Sequence, residues 1–301
     1  MRRSALGPTD LVLVSEIGLG CNQFGTSVSE EGTLAVVSAA LEAGVNFFDT
    51  ADIYGNRGDS ERFLGAALKG RRQEAVIATK FGHEMGYDSD PARGRPAYVQ
   101  RAAEESLRRL DTEWIDVLYY HAPDGLTPLE ETIGAMEELV REGLVRVIAC
   151  SNLNASDLRL VGGRIAVLQN RYSLLHLVDE AEVLPACGEL QVSYVPWGPF
   201  AGGLLTGKHR RGHIVPGTRM VGREIADSTW DRLEALEQFA TAHGHSLLEL
   251  AVGALLSHPA LPSVIAGATS AEQVQANVAA AGWRLTAAEL EELGRVGSAP
   301  G

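Results

Sequence analysis

Cysteine is nearly absent, with Cys21, Cys150 and Cys187 the only three in 301 residues. An odd number of isolated thiols without metal-type spacing excludes a disulfide framework and a thiolate metal centre, and it suits a reducing compartment. The cytoplasm is the expected location. Positive charge is also short: 26 Lys and Arg stand against 39 Asp and Glu, a net charge of -13. That field repels nucleic acid and anionic membrane surfaces, so neither is an expected partner. No apolar run is long enough to span a bilayer. The most apolar window, "LLELAVGALLSHPALPSVIAGA", is interrupted by Glu249, His258, Pro259 and Pro262, and it reads as a helix, a turn and a buried strand. The opening "MRRSALGPTDLVLV" carries only a broken apolar stretch after its arginines, which is not the pattern of a signal peptide.

Apolar residues are plentiful, at 45% of the chain, and they fall into a repeat. Short apolar runs, "EIGLG", "VNFF", "AVIAT", "IDVLYY", "VRVIAC", "AVLQ", "VSYVP" and "PSVIAG", alternate with amphipathic stretches. These predict eight strands. Among the intervening helices, "SEEGTLAVVSAALEAG" places Leu34, Val37, Ala40 and Leu41 on one face and ends at Gly44. "AYVQRAAEESLRRL", "PLEETIGAMEELVREG" and "DSTWDRLEALEQFATAHG" repeat that design. Eight alternations without a linker predict an α/β fold, a single-domain (β/α)8 TIM barrel over residues 1–301, with a doubly wound sheet as the rival.

A barrel concentrates its chemistry at the C-terminal ends of its strands. Those ends hold Asp49 and Tyr54 after the second strand, Lys80 after the third and His121 after the fourth. Ser151 and Asn152 follow the fifth, Gln169 and Asn170 the sixth, and Trp197 the seventh. Asp49 is the most telling. It abuts the buried run "VNFF", and a carboxylate there needs a cation, because an isolated buried charge is too costly. Asp52, Gly55 and Asn56 read as ordinary surface-turn residues.

The stretches "IGLGCNQFG", "FFDTADIYG", "IATKFG", "SLRRLDTEWIDVLYYHAPD", "GLVRVIACSNL", "LQNRYSLL", "VPWGPFAGGLLTGK" and "VIAGATSAEQVQANV" occur in this order. Together they resemble the aldo-keto reductases over nearly the whole chain. The resemblance implies a catalytic tetrad of Asp49, Tyr54, Lys80 and His121 and the cofactor NADPH, with neither metal nor flavin. It also implies reduction of a small carbonyl substrate, an aldehyde or a ketone, to an alcohol. A carbonyl that accepts a hydride leaves negative charge on oxygen, so Tyr54 would give the proton and His121 a hydrogen bond. Lys80, paired with Asp49, would stabilise the phenolate. The positions that match the family's cofactor contacts are Gly20, Asn22, Ser151, Asn152, Gln169, Trp197, Gly198, Pro199, Phe200, Ala201, Gly203, Lys208, Arg219, Gly267, Thr269, Gln273 and Asn277. Of these, Ser151, Asn152 and Gln169 would hold the carboxamide, and Trp197 would stack on the nicotinamide. Many relatives carry arginine at the place of Gln273 and glutamate at that of Ala276. Ala149, where glycine is common, reads as a packing change.

From Gln191 to Arg223 there is no acid, while Lys208, Arg210, Arg211, Arg219 and Arg223 are basic. This local inversion of charge suits a phosphate-binding lid. "GGLLTGKH" within it imitates an ATP-binding loop, but His209 stands where serine or threonine is needed. His209 and His213 lack a third metal ligand. "GATSAEQVQANV" opens a helix whose first amides can hold an anion. Pocket walls are expected from "GHEMGYDSDPARGRP" and the strand-seven loop, and "AAAGWRLTAAELEELGRVGSAPG" reads as a terminal helix. The alternative functions are an NADPH-binding sensor or regulatory subunit like the potassium-channel β subunits, and a sugar or metabolite dehydrogenase working oxidatively. Substrate identity and oligomeric state are not legible.

Overall fold

The computed structural model describes residues 1–297. Strands β1 (Arg3–Ala5) and β2 (Leu13–Ser15) pair antiparallel. Eight further strands form one parallel sheet: β3 (Ile17–Gly20), β4 (Phe47–Asp49), β5 (Val76–Phe81), β6 (Ile115–Tyr120), β7 (Val145–Ser151), β8 (Val167–Gln169), β9 (Ser193–Tyr194) and β10 (Val264–Gly267). Their spatial order, β10-β3-β4-β5-β6-β7-β8-β9, is chain order with the last strand beside the first, the order of a (β/α)8 barrel. Tyr194 N–H donates to the Ala260 carbonyl at 2.8 Å, which ties β9 to the segment that enters β10.

A helix follows every strand of the barrel. The first six are α1 (Glu30–Glu42), α2 (Tyr54–Ala67, interrupted by a left-handed turn at Gly55, Asn56, Arg57 and Gly58), α3 (Pro96–Leu110), α4 (Leu129–Arg141), α5 (Ala155–Val161) and α6 (Val183–Leu190). After β9 come α7 (Asp227–Ala242) and α8 (Leu247–Leu256), and after β10 come α9 (Ala271–Ala279) and α10 (Ala287–Gly297). Local chemistry sets their ends. Ser29 caps α1 by accepting from Gly32 N–H at 3.2 Å, and α8 opens on a capping box made by Ser246 and Glu249, arrangements that satisfy amides left over at a helix start. The buried face of α1 is Thr33, Val36, Val37 and Ala40. Val37 and Ala40 are buried as expected and Leu41 partly so, whereas Leu34, expected on that face, is exposed and Thr33 and Val36 take its place. Helix α10 bears out a terminal helix within "AAAGWRLTAAELEELGRVGSAPG"; residues 298–301 lie outside the described residues. No helix among the described residues is long and apolar enough to cross a membrane.

Two cores result. The larger lies between sheet and helices. The smaller fills the barrel and contains Phe47, Val76, Ala78, Val117, Tyr119, Val147, Ala149, Val167, Val195 and Ile265. Ala149 is thus a packing residue of the interior. Leu6, Val12 and Val14 join the same cluster, so the β1–β2 hairpin plugs the N-terminal end. Nothing in the sequence pattern pointed to this hairpin.

Candidate active site

Side chains alternate between the faces of a strand, so residues two apart point the same way. On β4, Phe47 lies inside the barrel, and two residues on is Asp49; on β5, Val76 and Ala78 lead to Lys80. Val117 and Tyr119 lead to His121, Val147 and Ala149 to Ser151, and Val167 to Gln169. On these five strands the interior column is apolar until its C-terminal end, where it becomes polar. The register then aligns Lys80 with Tyr119 and Ser151 with Gln169. Five strands therefore deliver Asp49, Lys80, His121, Ser151 and Gln169 to one mouth.

Lys80 is fully buried and Asp49 nearly so. Lys80 Nζ donates to Asp49 Oδ1 at 2.6 Å and to the Thr50 carbonyl at 2.8 Å. The second oxygen of Asp49 accepts from Gln169 Nε2 at 2.8 Å, a bond that gives Gln169 a task beyond the carboxamide contact expected of it. Burial works against the Lys80 charge, but Asp49 and Tyr54 outweigh it and raise the ammonium above its usual pKa. The Tyr54 ring centroid lies 5.2 Å from Lys80 Nζ. For Tyr54, burial raises the pKa and the pull of Lys80 only partly offsets it. The phenol at rest is therefore protonated, the form a proton donor needs.

His121 meets Tyr54 edge-on at 5.8 Å between ring centroids. Burial first, then Lys80 and a second histidine, His83, push its pKa down to about 2. It is a neutral imidazole across the physiological range, and its buried Nδ1 has no hydrogen-bond partner. His83 packs against it at 4.4 Å and 74°; sequence reasoning missed this contact, which arises only when the loop after β5 folds beside the end of β6. Asn152, in the left-handed region at φ 60°, donates to the His121 carbonyl at 2.9 Å and accepts from Trp197 Nε1 at 3.3 Å. Trp197 is 39% exposed, so it is an open aromatic surface at the mouth and not a core residue.

Several features fit a nicotinamide cofactor. Ser151 Oγ is buried without a partner, a hydroxyl placed to meet a carboxamide. Gly198 and Gly267 have nothing within 4 Å of where a Cβ would stand, leaving backbone open to close approach. A Cβ at Gly20 would sit 3.7 Å from Gly267 N, which places the first and last barrel strands side by side at this end. Ala201, Gly202 and Gly203 all have positive φ, and Lys208 Nζ lies 3.3 Å from the Cβ position of Gly203. Pro199 and Phe200 are buried. Ser270 caps α9 by accepting from Gln273 N–H at 3.4 Å, and Gln273 Oε1 accepts from Thr269 N–H at 3.0 Å. Asn277 Nδ2 donates to the Gly267 carbonyl at 3.3 Å. Arg219 reaches across from the strand-seven loop to Asn22 Oδ1 at 3.1 Å, and Gln23, with its amide oxygen turned toward it, accepts from the same guanidinium.

Two expectations need correction. Asp52 is no surface-turn residue: it is wholly buried, and neither carboxyl oxygen has a partner. Beside it Glu61, also buried, accepts from Thr79 Oγ1 at 2.5 Å and from Arg109 Nε at 2.5 Å. Burial, and then the Glu61 charge, raise the Asp52 pKa well above the carboxylate range. Nor do all basic residues of the strand-seven loop face the mouth. Arg210 pairs with Glu237, and Arg211 with Asp227, Asp231 and Glu234, so α7 takes both. Among the described residues, no acid pairs with Lys208, Arg219 or Arg223.

An eight-stranded α/β barrel with a buried lysine–carboxylate pair beneath a tyrosine at its C-terminal mouth has the framework of an oxidoreductase. The model of the aldo/keto reductase family matches residues 16–297. "Uncharacterized oxidoreductase YqkF" of Bacillus subtilis is 35% identical, over 97% of this chain and 95% of its own. A "probable voltage-gated potassium channel subunit beta" of Oryza sativa is 32% identical, over 89% and 87%. The solved structure of aldo-keto reductase AKR11C1 from Bacillus halodurans, a holo form, superimposes with a TM-score of 0.83 at 36% identity, covering 98% of this chain and 96% of that one. The chain belongs to the aldo/keto reductase family and is an oxidoreductase.

Proposed function

We propose that this protein is a cytoplasmic, NADPH-dependent reductase of aldehydes or ketones, built as one barrel over residues 1–301. The observation that carries the reading is the buried Lys80–Asp49 pair at 2.6 Å with the Tyr54 ring beside it. NADPH, when bound, supplies the hydride. The substrate oxygen lies between the Tyr54 hydroxyl and the His121 imidazole. Tyr54 donates its proton as charge grows on that oxygen. Neutral His121 gives a hydrogen bond aimed at the same oxygen, worth about 3 kcal/mol if it acts as other oxyanion donors do. Lys80 limits the cost of the phenolate left behind, and Asp49 fixes Lys80 in a place where a lone ammonium would lose its proton. Trp197, Ser151, Asn152 and Gln169 hold the nicotinamide end; Lys208, Arg219, Arg223 and the start of α9 hold the phosphates.

Tyr54→Phe keeps the ring and removes the hydroxyl. Turnover of an accepted aldehyde should fall by about 10²- to 10⁴-fold, with NADPH affinity retained. A variant as fast as the wild type would refute the role. The likeness to a potassium-channel β subunit favours a second reading, a cofactor-loaded sensor, which predicts a single slow turnover with cofactor release limiting thereafter. Multiple turnover of a simple aldehyde decides between them, and the same assay run with alcohols and NADP⁺ tests the oxidative direction.

A further inference from the structure

Arg57 stands three residues beyond Tyr54 in a turn that cannot relax. Gly55, Asn56, Arg57 and Gly58 have φ of 63°, 55°, 64° and 115°, a left-handed region that Gly and Asn tolerate and that is unfavourable for Arg. A Cβ at Gly55 would lie 2.4 Å from the Phe24 carbonyl oxygen and 2.7 Å from Ser60 N, so only glycine fits. Asn56 Nδ2 donates to the Gly25 carbonyl at 3.0 Å. Both contacts lock the turn onto the loop after β3. The Arg57 side chain leaves this rigid base and brings Nη1 to 3.9 Å from the Cβ position of Gly86. It thus spans the rim from the Tyr54 turn to the loop that carries His83.

The acids of both loops are already committed. Asp59 pairs with Arg62. Glu84 feels the Arg57 charge, but its two oxygens accept from Arg93 at 2.6 Å and from Gly86 N–H at 2.6 Å. Asp88 and Asp90 both pair with Arg95. Among the described residues no ion pair includes Arg57. A guanidinium in no ion pair, on a strained, preorganised turn at the mouth of a strongly acidic protein, is a recognition group for an anion, because its planar fork matches a carboxylate or a phosphate. It also counters the field of the chain, which would otherwise repel such a substrate.

We infer that Arg57 binds an anionic substituent, a carboxylate or a phosphate monoester, on the carbonyl substrate while the carbonyl oxygen lies between Tyr54 and His121. The inference rests on the reductase reading and names its substrate class. With saturating NADPH, kcat/KM is measured for 4-carboxybenzaldehyde, 4-formylphenyl phosphate and 4-methylbenzaldehyde in wild type, Arg57→Gln and Arg57→Lys. A charged hydrogen-bonded contact predicts a preference of about tenfold or more for at least one anionic aldehyde, expressed in KM. That ratio falls to near one in Arg57→Gln, is partly restored in Arg57→Lys, and shrinks at high ionic strength. The two anionic arms tell carboxylate from phosphate. A wild-type ratio near one, or a ratio unchanged in Arg57→Gln, overturns the proposal. Calorimetric binding of 4-(hydroxymethyl)benzoate, 4-(hydroxymethyl)phenyl phosphate and 4-methylbenzyl alcohol to the cofactor-loaded and cofactor-free protein tests the same contact without turnover. If no aldehyde is reduced but the Arg57-dependent binding preference holds, the reductase reading fails and the anion site stands. If the neutral alcohol binds as tightly as both anions, the site fails.

Discussion

Lys80→Met isolates the interaction on which the site depends. Lys80 Nζ and Asp49 Oδ1 are 2.6 Å apart, with side chains only 1% and 6% exposed. At an effective dielectric of about 20, charges this close attract by roughly 6 kcal/mol, most of it offset by what both lost on leaving water. The net worth of the pair is thus small, whereas the cost of breaking it is large. In Lys80→Met the Asp49 carboxylate keeps only Gln169, and in Asp49→Leu the ammonium keeps only the Thr50 carbonyl. Each leaves a buried charge uncompensated, which costs about 3–5 kcal/mol. The double variant leaves neither charge and should cost far less than the sum of the singles, by roughly 3 kcal/mol. Urea unfolding followed by circular dichroism gives all four corners of the cycle. Additive single effects would show that the two groups do not act as a pair. Turnover should follow a different pattern, with both Lys80 variants inactive, because the double variant restores stability without restoring a cation beside Tyr54.

His121, held down to about pKa 2, takes up a proton in the unfolded chain near 6.5 but not in the fold. Its contribution to stability is present above about pH 6.5 and lost as pH falls toward 2, so His121→Phe should flatten the acid limb of a stability-versus-pH curve; an unaltered limb would contradict a neutral His121. For Asp52 the sign reverses. Its raised pKa keeps a proton that the unfolded chain releases near 4, so stability declines as pH rises above that value, and Asp52→Asn should be the more stable protein at neutral pH and lose its advantage below about pH 4. Trp197, exposed at the mouth, should be quenched by bound cofactor; a quench that persists undiminished in Trp197→Phe would assign the signal to Trp114, Trp230 or Trp283 and remove Trp197 from the cofactor site.

The barrel was legible because its strands are short apolar runs whose last inward residue turns polar. Asp49 and Lys80 needed only that period and a reason for a carboxylate to follow "VNFF". The β1–β2 hairpin was not legible, since three-residue strands about a Gly7-Pro8-Thr9-Asp10 turn are too short for alternation to register. Asp52 misled for a different reason. Its neighbours are turn formers, but its burial is made by Glu61 and by Arg109 from α3, a helix far along the chain. The acid-free stretch from Gln191 to Arg223 overstates the positive charge of the loop, because the acids that neutralise Arg210 and Arg211 lie beyond it on α7.

The buried charges about Tyr54 constrain the direction in which its proton moves. Lys80 is balanced by Asp49, and Arg109 by Glu61. Asp52, were it ionised, would add a third negative charge to two positive ones in a volume that excludes water, and burial holds it neutral instead. The cluster is therefore near neutrality before reaction. In the proposed mechanism, proton donation by Tyr54 would leave one unbalanced negative charge there. Burial first, and then the Asp49 charge, raise the Tyr54 pKa in the resting site, and Lys80 offsets this only in part. A phenolate in this setting is short-lived and pulls a proton back. The same balance makes Asp52→Asn a silent change for chemistry, because it replaces one neutral group by another. A charge on Asp52 would lie close to Tyr54 and lift its pKa further, so a neutral Asp52 leaves Tyr54 the better proton donor.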